Sequence, residues 1–182
     1  MNFYGAKEIA ASFRTVRNNT IKIAEEIPED KYSFRPVEEL RTVAQMLIHI
    51  SNLAAFQYAI HRDNQPFSFE RFDFMARMGP LMAAEQQPGS KAEIVQSLRD
   101  KGEEFASWVE TLSDEFLAQV ITMPPGGSPP SRSRFDMIIS VKEHEMHHRA
   151  QLMVYERMLG MVPHLTQARM AAMAAAQAQP KQ

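Results

Sequence analysis

The stretch "KEHEMHHRAQLMVYERMLG", residues Lys142 to Gly160, contains three of the chain's six histidines within five positions. Apolar residues recur around it at steps of three and four, which predicts one amphipathic helix from about Ser133 to Leu159. Gly160 and Pro163 follow, as is typical of a helix C-terminus. One face of this helix is expected to point into a core. Its members are Met137, Val141, His144, His148, Leu152, Tyr155 and Leu159.

His144 and His148 lie on this core-facing stripe. An α-helix turns by about 100° per residue, so the two side chains are about 40° apart and can reach one point. His147 is about 60° from His144 and about 100° from His148, so it is expected to point away. Buried polar groups need partners, so two imidazoles on such a stripe indicate either a hydrogen-bonded pair or a metal site.

Three further segments show helical periodicity. The first ends at Pro28. The second begins near Thr42, and Gln45 stands at the reciprocal position of a capping box; the third begins in the same way at Ser90, with Glu93. No segment shows a convincing two-residue alternation bounded by turn signals. The sequence therefore predicts an all-α domain, most simply a four-helix bundle.

The connections between the predicted helices are uneven. Residues 63–89, between the second and third helices, contain several prolines and glycines and are long enough to cross the bundle. The second and third helices could therefore run parallel, and residues 69–79 are a candidate for a short helix. We place the bundle in residues 1–162 and treat residues 163–182 as an Ala-rich tail with good helix propensity.

Length, net charge and residue content exclude several classes of function. A length of 182 residues suits one domain, and a formal charge of −2 offers no electrostatic case for binding nucleic acid. The chain has no cysteine, which excludes thiolate ligands and a cysteine nucleophile. No apolar run approaches about 18 residues, and the first residues lack the basic and apolar regions that we would expect of a signal peptide. We therefore expect a cytoplasmic protein with no membrane span.

His49 favours the metal interpretation over a hydrogen-bonded pair. It lies in "VAQMLIHISNLAAF", residues 43–56, again within an apolar helical stripe. Bundle interiors commonly hold metals through residues on facing helices. Three neutral imidazoles leave a position open, as in catalytic sites. Imidazole suits several divalent ions, and we expect zinc first and nickel second.

A zinc protease is the alternative that the same helix raises. His144, Glu145 and His148 match H-E-x-x-H, in which the glutamate is the general base. The longer form of this motif needs a glycine where Gln151 stands. No strand is evident to bind an extended peptide, so this interpretation is less favoured.

Two stretches resemble DinB/YfiT-like proteins. "YSFRPVEELRTVAQMLIHI", Tyr32 to Ile50, is similar to the segment that leads into their second helix. "HEMHHRAQL", His144 to Leu152, resembles their H-x-x-x-H-R-G/A-Q motif, with Ala150 at the small position. The resemblance implies a four-helix bundle of DinB/YfiT type, with the second and third helices parallel, that is often a homodimer. It also implies a divalent metal, and matched residue by residue its ligands are His49, His144 and His148.

The resemblance further implies a class of reaction. Characterised members are similar to metal-dependent transferases of low-molecular-weight thiols or to thiol-dependent isomerases. We therefore expect transfer of a thiol to a small electrophile, with the thiol brought in as a cosubstrate because the chain has no cysteine. The alternatives are a hydrolase that uses metal-bound water and a non-catalytic metal-binding stress-response module.

Several other polar residues are weaker candidates. Gln151 and Gln45 lie where either could orient an imidazole or a bound water, although a surface role suits each equally well. His61, at the end of the second helix, is interpreted as a surface histidine. Arg132 and Arg134, in a proline- and glycine-rich loop, could bind an anionic substrate, but exposed loop charges are the simpler interpretation.

Overall fold

The computed structural model describes residues 4–64 and 67–178. Its helices are α1 (Ala6–Glu26), α2 (Val43–Tyr58), α3 (Phe74–Glu85), α4 (Lys91–Glu110), α5 (Asp114–Ala118), α6 (Arg134–Met158) and α7 (His164–Ala178). A 3₁₀ turn (Glu29–Lys31) follows α1, and a π-helical segment (Ala59–Asn64) extends α2. Two short antiparallel strands, β1 (Val120–Thr122) and β2 (Ser131–Ser133), precede α6.

Four helices, α1, α2, α4 and α6, form the predicted bundle. Both α1 and α2 pack against α4 and against α6, so α1 and α2 lie on one diagonal. Ser51 bonds to Ser97 in the central parts of α2 and α4, and Tyr58 packs edge-to-face against Trp108 near their C-terminal ends, so these two helices run parallel. The all-α fold with a crossover between the second and third bundle helices is confirmed.

The predicted helix starts are also confirmed. Thr42 accepts a hydrogen bond from the Gln45 N–H while the Gln45 side chain accepts from the Thr42 N–H. Ser90 and Glu93 form the same reciprocal pair at the start of α4. Each box satisfies backbone donors that the first helical turn would otherwise leave unpaired.

The crossover is more ordered than the sequence indicates. The candidate helix at 69–79 is in part right, because α3 begins at Phe74, capped by Asp73, and continues to Glu85. The side chains of α3 are mostly exposed, and among its residues only Glu85 is buried. The end of the crossover thus places a carboxylate beside α2.

Apolar packing sets how α2 faces α6. One buried cluster joins the two helices next to the histidines, and it includes Val43, Leu47, Ile50, Leu152 and Tyr155. Burying each large aliphatic side chain contributes about 1.5–3 kcal/mol. The Tyr155 hydroxyl also donates to the Arg41 carbonyl (3.1 Å), which fixes the end of α6 against the start of α2. This packing holds the two helices antiparallel, with His49 opposite His144.

His61 and Arg134 were predicted to be exposed, and this is wrong. Both are fully buried, with the Arg134 Nη1 donating to His61 Nδ1 at 2.9 Å. Arg134 also donates to the Gln119 side chain (2.8 Å) and lies over the Phe116 ring. The π-helical segment explains the error for His61, because its wider turn changes the direction of side chains that a regular helical wheel assigns.

The strands were not predicted either. β1 and β2 pair in the register Val120↔Ser133 and Thr122↔Ser131. Three residues are too few to show an alternating pattern, so the sequence carries no signal for them. Ser133 ends β2 and then caps α6 by accepting from the Asp136 N–H at 3.1 Å.

The Ala-rich tail forms α7, which packs against α1. His164 bonds to the Asn19 side chain at 3.2 Å, and no residue of α7 is buried. The boundary at residue 162 stays a prediction. Within residues 4–64 and 67–178, no helix has the length and apolar character needed to cross a membrane.

Candidate metal centre

The structure brings the three histidines to one point. His144 Nε2 lies 3.0 Å from His49 Nε2 and 3.1 Å from His148 Nε2. One ring nitrogen from each of the three lies within 4.8 Å of the others. His49 comes from the second turn of α2, whereas His144 and His148 are one turn apart on α6. Two antiparallel helices thus supply three Nε2 atoms.

Hydrogen bonds at Nδ1, the ring nitrogen that faces away from the cluster, fix the tautomers of His49 and His148. His49 Nδ1 lies 2.8 Å from Glu85 Oε1, and His148 Nδ1 lies 2.8 Å from Gln151 Oε1. A carboxylate and an amide oxygen can only accept, so each Nδ1 carries the proton. In the neutral rings the Nε2 lone pairs of His49 and His148 therefore point into the cluster. This is the arrangement that metal-binding imidazoles have in proteins.

Electrostatics keep two of these rings uncharged. Burial, followed by the neighbouring imidazoles of His148 and His49, lowers the pKa of His144 to about 3. Burial also lowers the pKa of His148, although its bond to Gln151 acts in the opposite direction. Neutral rings are the form that binds metal, and protons do not compete for them near neutral pH.

The geometry fits a small divalent ion. Metal–nitrogen bonds of about 2.0–2.1 Å in a tetrahedral site place the nitrogens about 3.3 Å apart, close to the 3.0 Å and 3.1 Å that separate His144 Nε2 from the other two. His144 Nδ1 is buried and finds no hydrogen-bond partner among the described residues, so its Nε2 is the polar atom through which the ring can be satisfied. The three-histidine group could therefore hold a divalent metal.

Glu85 is the residue of this centre that the sequence did not reveal. Its Oε1 accepts from His49, and its Oε2 accepts from Arg41 Nε at 3.0 Å. Only 5% of the residue is exposed. It lies in the crossover, 36 positions after His49, and no periodic stripe marks it. Its place depends on how α3 folds back, which local sequence does not specify.

The two candidate glutamines differ. Gln151 accepts from His148, and its amide nitrogen lies 3.2 Å from Nε2 of the exposed His147, so its side chain contacts one of the three clustered histidines. Gln45 instead closes the capping box of α2 and donates to Gln86 at 3.4 Å. These contacts place Gln45 at the start of the helix, where it stabilises the N-terminus rather than an imidazole.

Glu145 does not have the role that a zinc protease would require. It points away from the histidines and binds Arg17 of α1 through two bonds of 2.9 Å, Nε to Oε1 and Nη2 to Oε2. Both side chains are almost fully buried, at 3% and 2% exposure. A carboxylate held in this way is not available as a general base. Within the H-E-x-x-H match, the two histidines therefore lie on one face of α6 and Glu145 lies on another.

A cavity of about 430 Å³ opens beside the centre. His148, Gln151 and Glu85 line it on the side of the histidines. The opposite walls combine charged residues of the segment 35–41 with apolar side chains, among them Met46 and Met82. This volume suits a small molecule. A larger groove of about 510 Å³ near Tyr4 contains none of the three histidines.

A protein of Bacillus subtilis is similar to this chain in sequence and in fold. YjoA of Bacillus subtilis (strain 168), described as an uncharacterized protein, is 24% identical over 157 residues, which cover 85% of this chain and 91% of YjoA. The crystal structure of the DinB-like protein YjoA from Bacillus subtilis matches with a TM-score of 0.63 and 22% identity. That match covers 85% of this chain and 93% of that chain, so the two have the same fold.

A family match extends across the region that builds the centre. The sequence profile of the DinB superfamily matches residues 12–152, a range that runs from α1 to α6 and includes all three histidines. It covers well over half of the chain. The resemblance inferred from the motifs at His49 and His144 is therefore confirmed, and the chain belongs to the DinB superfamily.

Proposed function

We propose that the protein is a divalent-metal-dependent enzyme that transfers a low-molecular-weight thiol to a small electrophile. The observation that carries this proposal is the convergence of three Nε2 atoms beside an open cavity. His49, His144 and His148 would hold the ion, with zinc expected first and nickel second. Glu85 and Gln151 would keep two of the rings in the binding tautomer.

A bound ion would supply Lewis acidity that lowers the pKa of a thiol, so that a thiolate forms near neutral pH. The chain contributes no cysteine, so the thiol must enter as a cosubstrate. With only three protein ligands, room remains for an external one. His148 reaches both the cluster and the cavity, which supports entry of a ligand from that side.

The cavity walls would hold the second substrate. Arg35 and Arg41 lie there with Glu38 and Glu39, so a molecule with charged groups can find opposite charges. Met82 and its apolar neighbours can cover a nonpolar part and exclude water from the reacting atoms. Holding both reactants in one small space removes most of the entropic cost of their encounter.

Thiol conjugation tests the proposal directly. Protein purified without a nickel column would be loaded with Zn²⁺ or Ni²⁺ and mixed with chloro-dinitrobenzene and a panel of small thiols, including cysteine and glutathione. We expect ion-dependent adduct formation that His49→Ala abolishes and that His147→Ala, an exposed histidine of the same helix, preserves. Rates equal to the uncatalysed reaction with every thiol would overturn the transferase proposal.

A further inference from the structure

We propose that Glu85 is the positioning residue of His49, and that through it the docking of α3 and the occupancy of the three-histidine centre depend on each other. This inference rests on the proposed function, since it requires that the centre binds a divalent ion. It concerns a residue outside both stretches that carry the family resemblance.

Glu85 is engaged at both oxygens. Oε1 accepts from His49 Nδ1 at 2.8 Å, and Oε2 accepts from Arg41 Nε at 3.0 Å. The side chain is 6% exposed, whereas that of Arg41 is 39% exposed. A carboxylate that is desolvated to this extent needs both partners, because an unpaired buried charge is strongly unfavourable.

His49 is the histidine of the three whose outer nitrogen meets a carboxylate. His148 donates to the neutral amide of Gln151, and His144 Nδ1 has no partner within the described part of the chain. A carboxylate orients the ring, fixes its tautomer and raises its basicity as a ligand. Loss of such a contact typically lowers metal affinity by about 10–100-fold.

The same bond ties α3 to the centre. Along α3 the described side chains are exposed or half-buried except for Glu85, and Met75 and Met82 are 65% and 49% exposed. Polar contacts attach its C-terminal half to α2, namely Glu85 to His49 and Asn52 Nδ2 to the Leu81 carbonyl at 3.2 Å. Phe74, Met78 and Leu81 also pack, partly buried, against an apolar cluster that includes Phe56 and Phe69. The C-terminal end of α3, where residues 82–84 are exposed, has fewer apolar contacts and therefore opens at lower free-energy cost.

Because Glu85 both orients His49 and attaches α3 to α2, ion binding and the docking of α3 are expected to be coupled. A cation on His49 Nε2 makes the Nδ1–H a stronger donor, and therefore strengthens its bond to Glu85. Whatever stabilises this bond also stabilises the docked position of α3. Thermodynamic linkage then requires that docked α3 raises the affinity of the centre for its ion by the same factor. The crossover helix thus becomes an ion-sensitive wall of the cavity beside the histidines.

Hydrogen exchange and metal titration test this inference. In the wild-type protein we expect Zn²⁺ to slow amide exchange in residues 74–86 by tenfold or more. Glu85→Gln keeps an acceptor for His49 but removes the negative charge, so it should reduce this slowing and weaken Zn²⁺ binding by about 10-fold or more. Glu38→Gln is the matched control, because it removes the same charge from the same cavity without a contact to a histidine, and its affinity should stay within twofold of wild type.

The two proposals fail in different ways. If the wild-type protein binds Zn²⁺ but exchange in α3 is the same with and without the ion, or if Glu85→Gln binds as tightly as Glu38→Gln, the coupling is overturned and the metal site stands. If the wild-type protein takes up no divalent ion, both proposals are overturned. The wild-type exchange measurement decides the coupling even if Glu85→Gln does not fold.

Discussion

At the residue scale, two imidazoles of one cluster are oriented by acceptors of different strength. His49 meets the carboxylate of Glu85, and His148 meets the amide of Gln151. Both contacts put the proton on Nδ1 and leave Nε2 available. His144 Nε2 lies 3.0 Å and 3.1 Å from the Nε2 atoms of His49 and His148, so the three ligand atoms are already positioned around one point. Such preorganisation reduces the entropic cost of binding.

The buried His61 leads to a prediction about pH. Burial, followed by the charge of Arg134, lowers the pKa of His61 to about 3. The unfolded chain binds a proton near pH 6.5, so between these values it binds more protons than the folded protein, and stability falls as pH falls. The ionisation of His61 alone should lower the free energy of unfolding by about 2 kcal/mol between pH 6.5 and pH 5.

Urea unfolding of the metal-free protein across this range measures the effect. His61→Gln is expected to be less stable at pH 7, because it changes the contact to Arg134, but its stability should fall less steeply toward pH 5. His144 and His148 still contribute a slope in this variant, since the pKa of each is also lowered. Equal slopes for both proteins would contradict the prediction.

The environment of Glu156 leads us to predict a substitution there that stabilises the folded protein. The residue is fully buried, and neither carboxylate oxygen has a hydrogen-bond partner within the described residues. Burial, reinforced by the charge of Glu26, raises its pKa to about 7. The folded protein therefore holds a proton that the unfolded chain loses near pH 4.5, so wild-type stability falls as pH rises from about 4.5 to 7.

Glu156→Gln removes this ionisation while keeping the size of the side chain. We expect it to stabilise the protein by about 2–3 kcal/mol at pH 8, with the gain shrinking toward zero at pH 4.5. Thermal or urea unfolding at the two pH values measures it, and the exposed Glu104→Gln serves as a control of equal charge change. A gain that is the same at both values would show that the ionisation of Glu156 is not its source.

Sequence patterns revealed the residues that sit on regular helices. The spacing of His144 and His148, together with the apolar stripe around His49, indicated that the three side chains face one another. This worked because α6 and α2 are regular helices at those positions. Glu85 was missed because its position depends on how a crossover folds back. His61 was misplaced because the segment that holds it is π-helical. Regular geometry transfers from sequence to structure, whereas these two features depend on tertiary context.

At the scale of elements, a buried ion pair joins α1 to α6. Arg17 binds Glu145 through paired contacts and also donates to the Leu98 carbonyl of α4 at 2.7 Å. Gly102 of α4 makes room for it, because a Cβ there would lie 2.9 Å from Arg17 Cγ. A glycine inside a helix costs about 1 kcal/mol relative to alanine, and the space for Arg17 explains why it is present.

This pair predicts a result that separates stability from metal binding. Glu145→Gln leaves the buried Arg17 without a full counter-charge and should destabilise the protein by about 3–5 kcal/mol. The same substitution should leave Zn²⁺ affinity within about threefold, because Glu145 faces away from the three Nε2 atoms. Urea unfolding and Zn²⁺ titration measure the two quantities.

The double variant Arg17→Met/Glu145→Leu is the control for this prediction. Removing both charges avoids an unpaired one, so it should be less destabilised than Glu145→Gln alone. A protein with Glu145→Gln that keeps its stability but loses the ion would instead place Glu145 in the centre, as in a zinc protease.

At the scale of the whole molecule, the relative directions of the bundle helices bring the three histidines together. Since α2 and α4 run parallel, the chain must cross the bundle between them, and α6 then returns antiparallel to α2. Antiparallel neighbours bring the second turn of α2 to the middle of α6, where His49 meets His144. The crossover places α3, and with it Glu85, over the outer side of His49. Homodimer formation stays a prediction at this scale.

Metal content tests the central claim most directly. Wild-type protein purified without immobilised nickel and then equilibrated with Zn²⁺ should retain one ion per chain by elemental analysis after extensive dialysis. His49→Ala, His144→Ala and His148→Ala should each lose the ion while the helical circular dichroism persists, and His147→Ala should keep it. A wild-type chain that stays free of divalent metal under these conditions, or a His49→Ala protein that retains a full equivalent, would contradict the account.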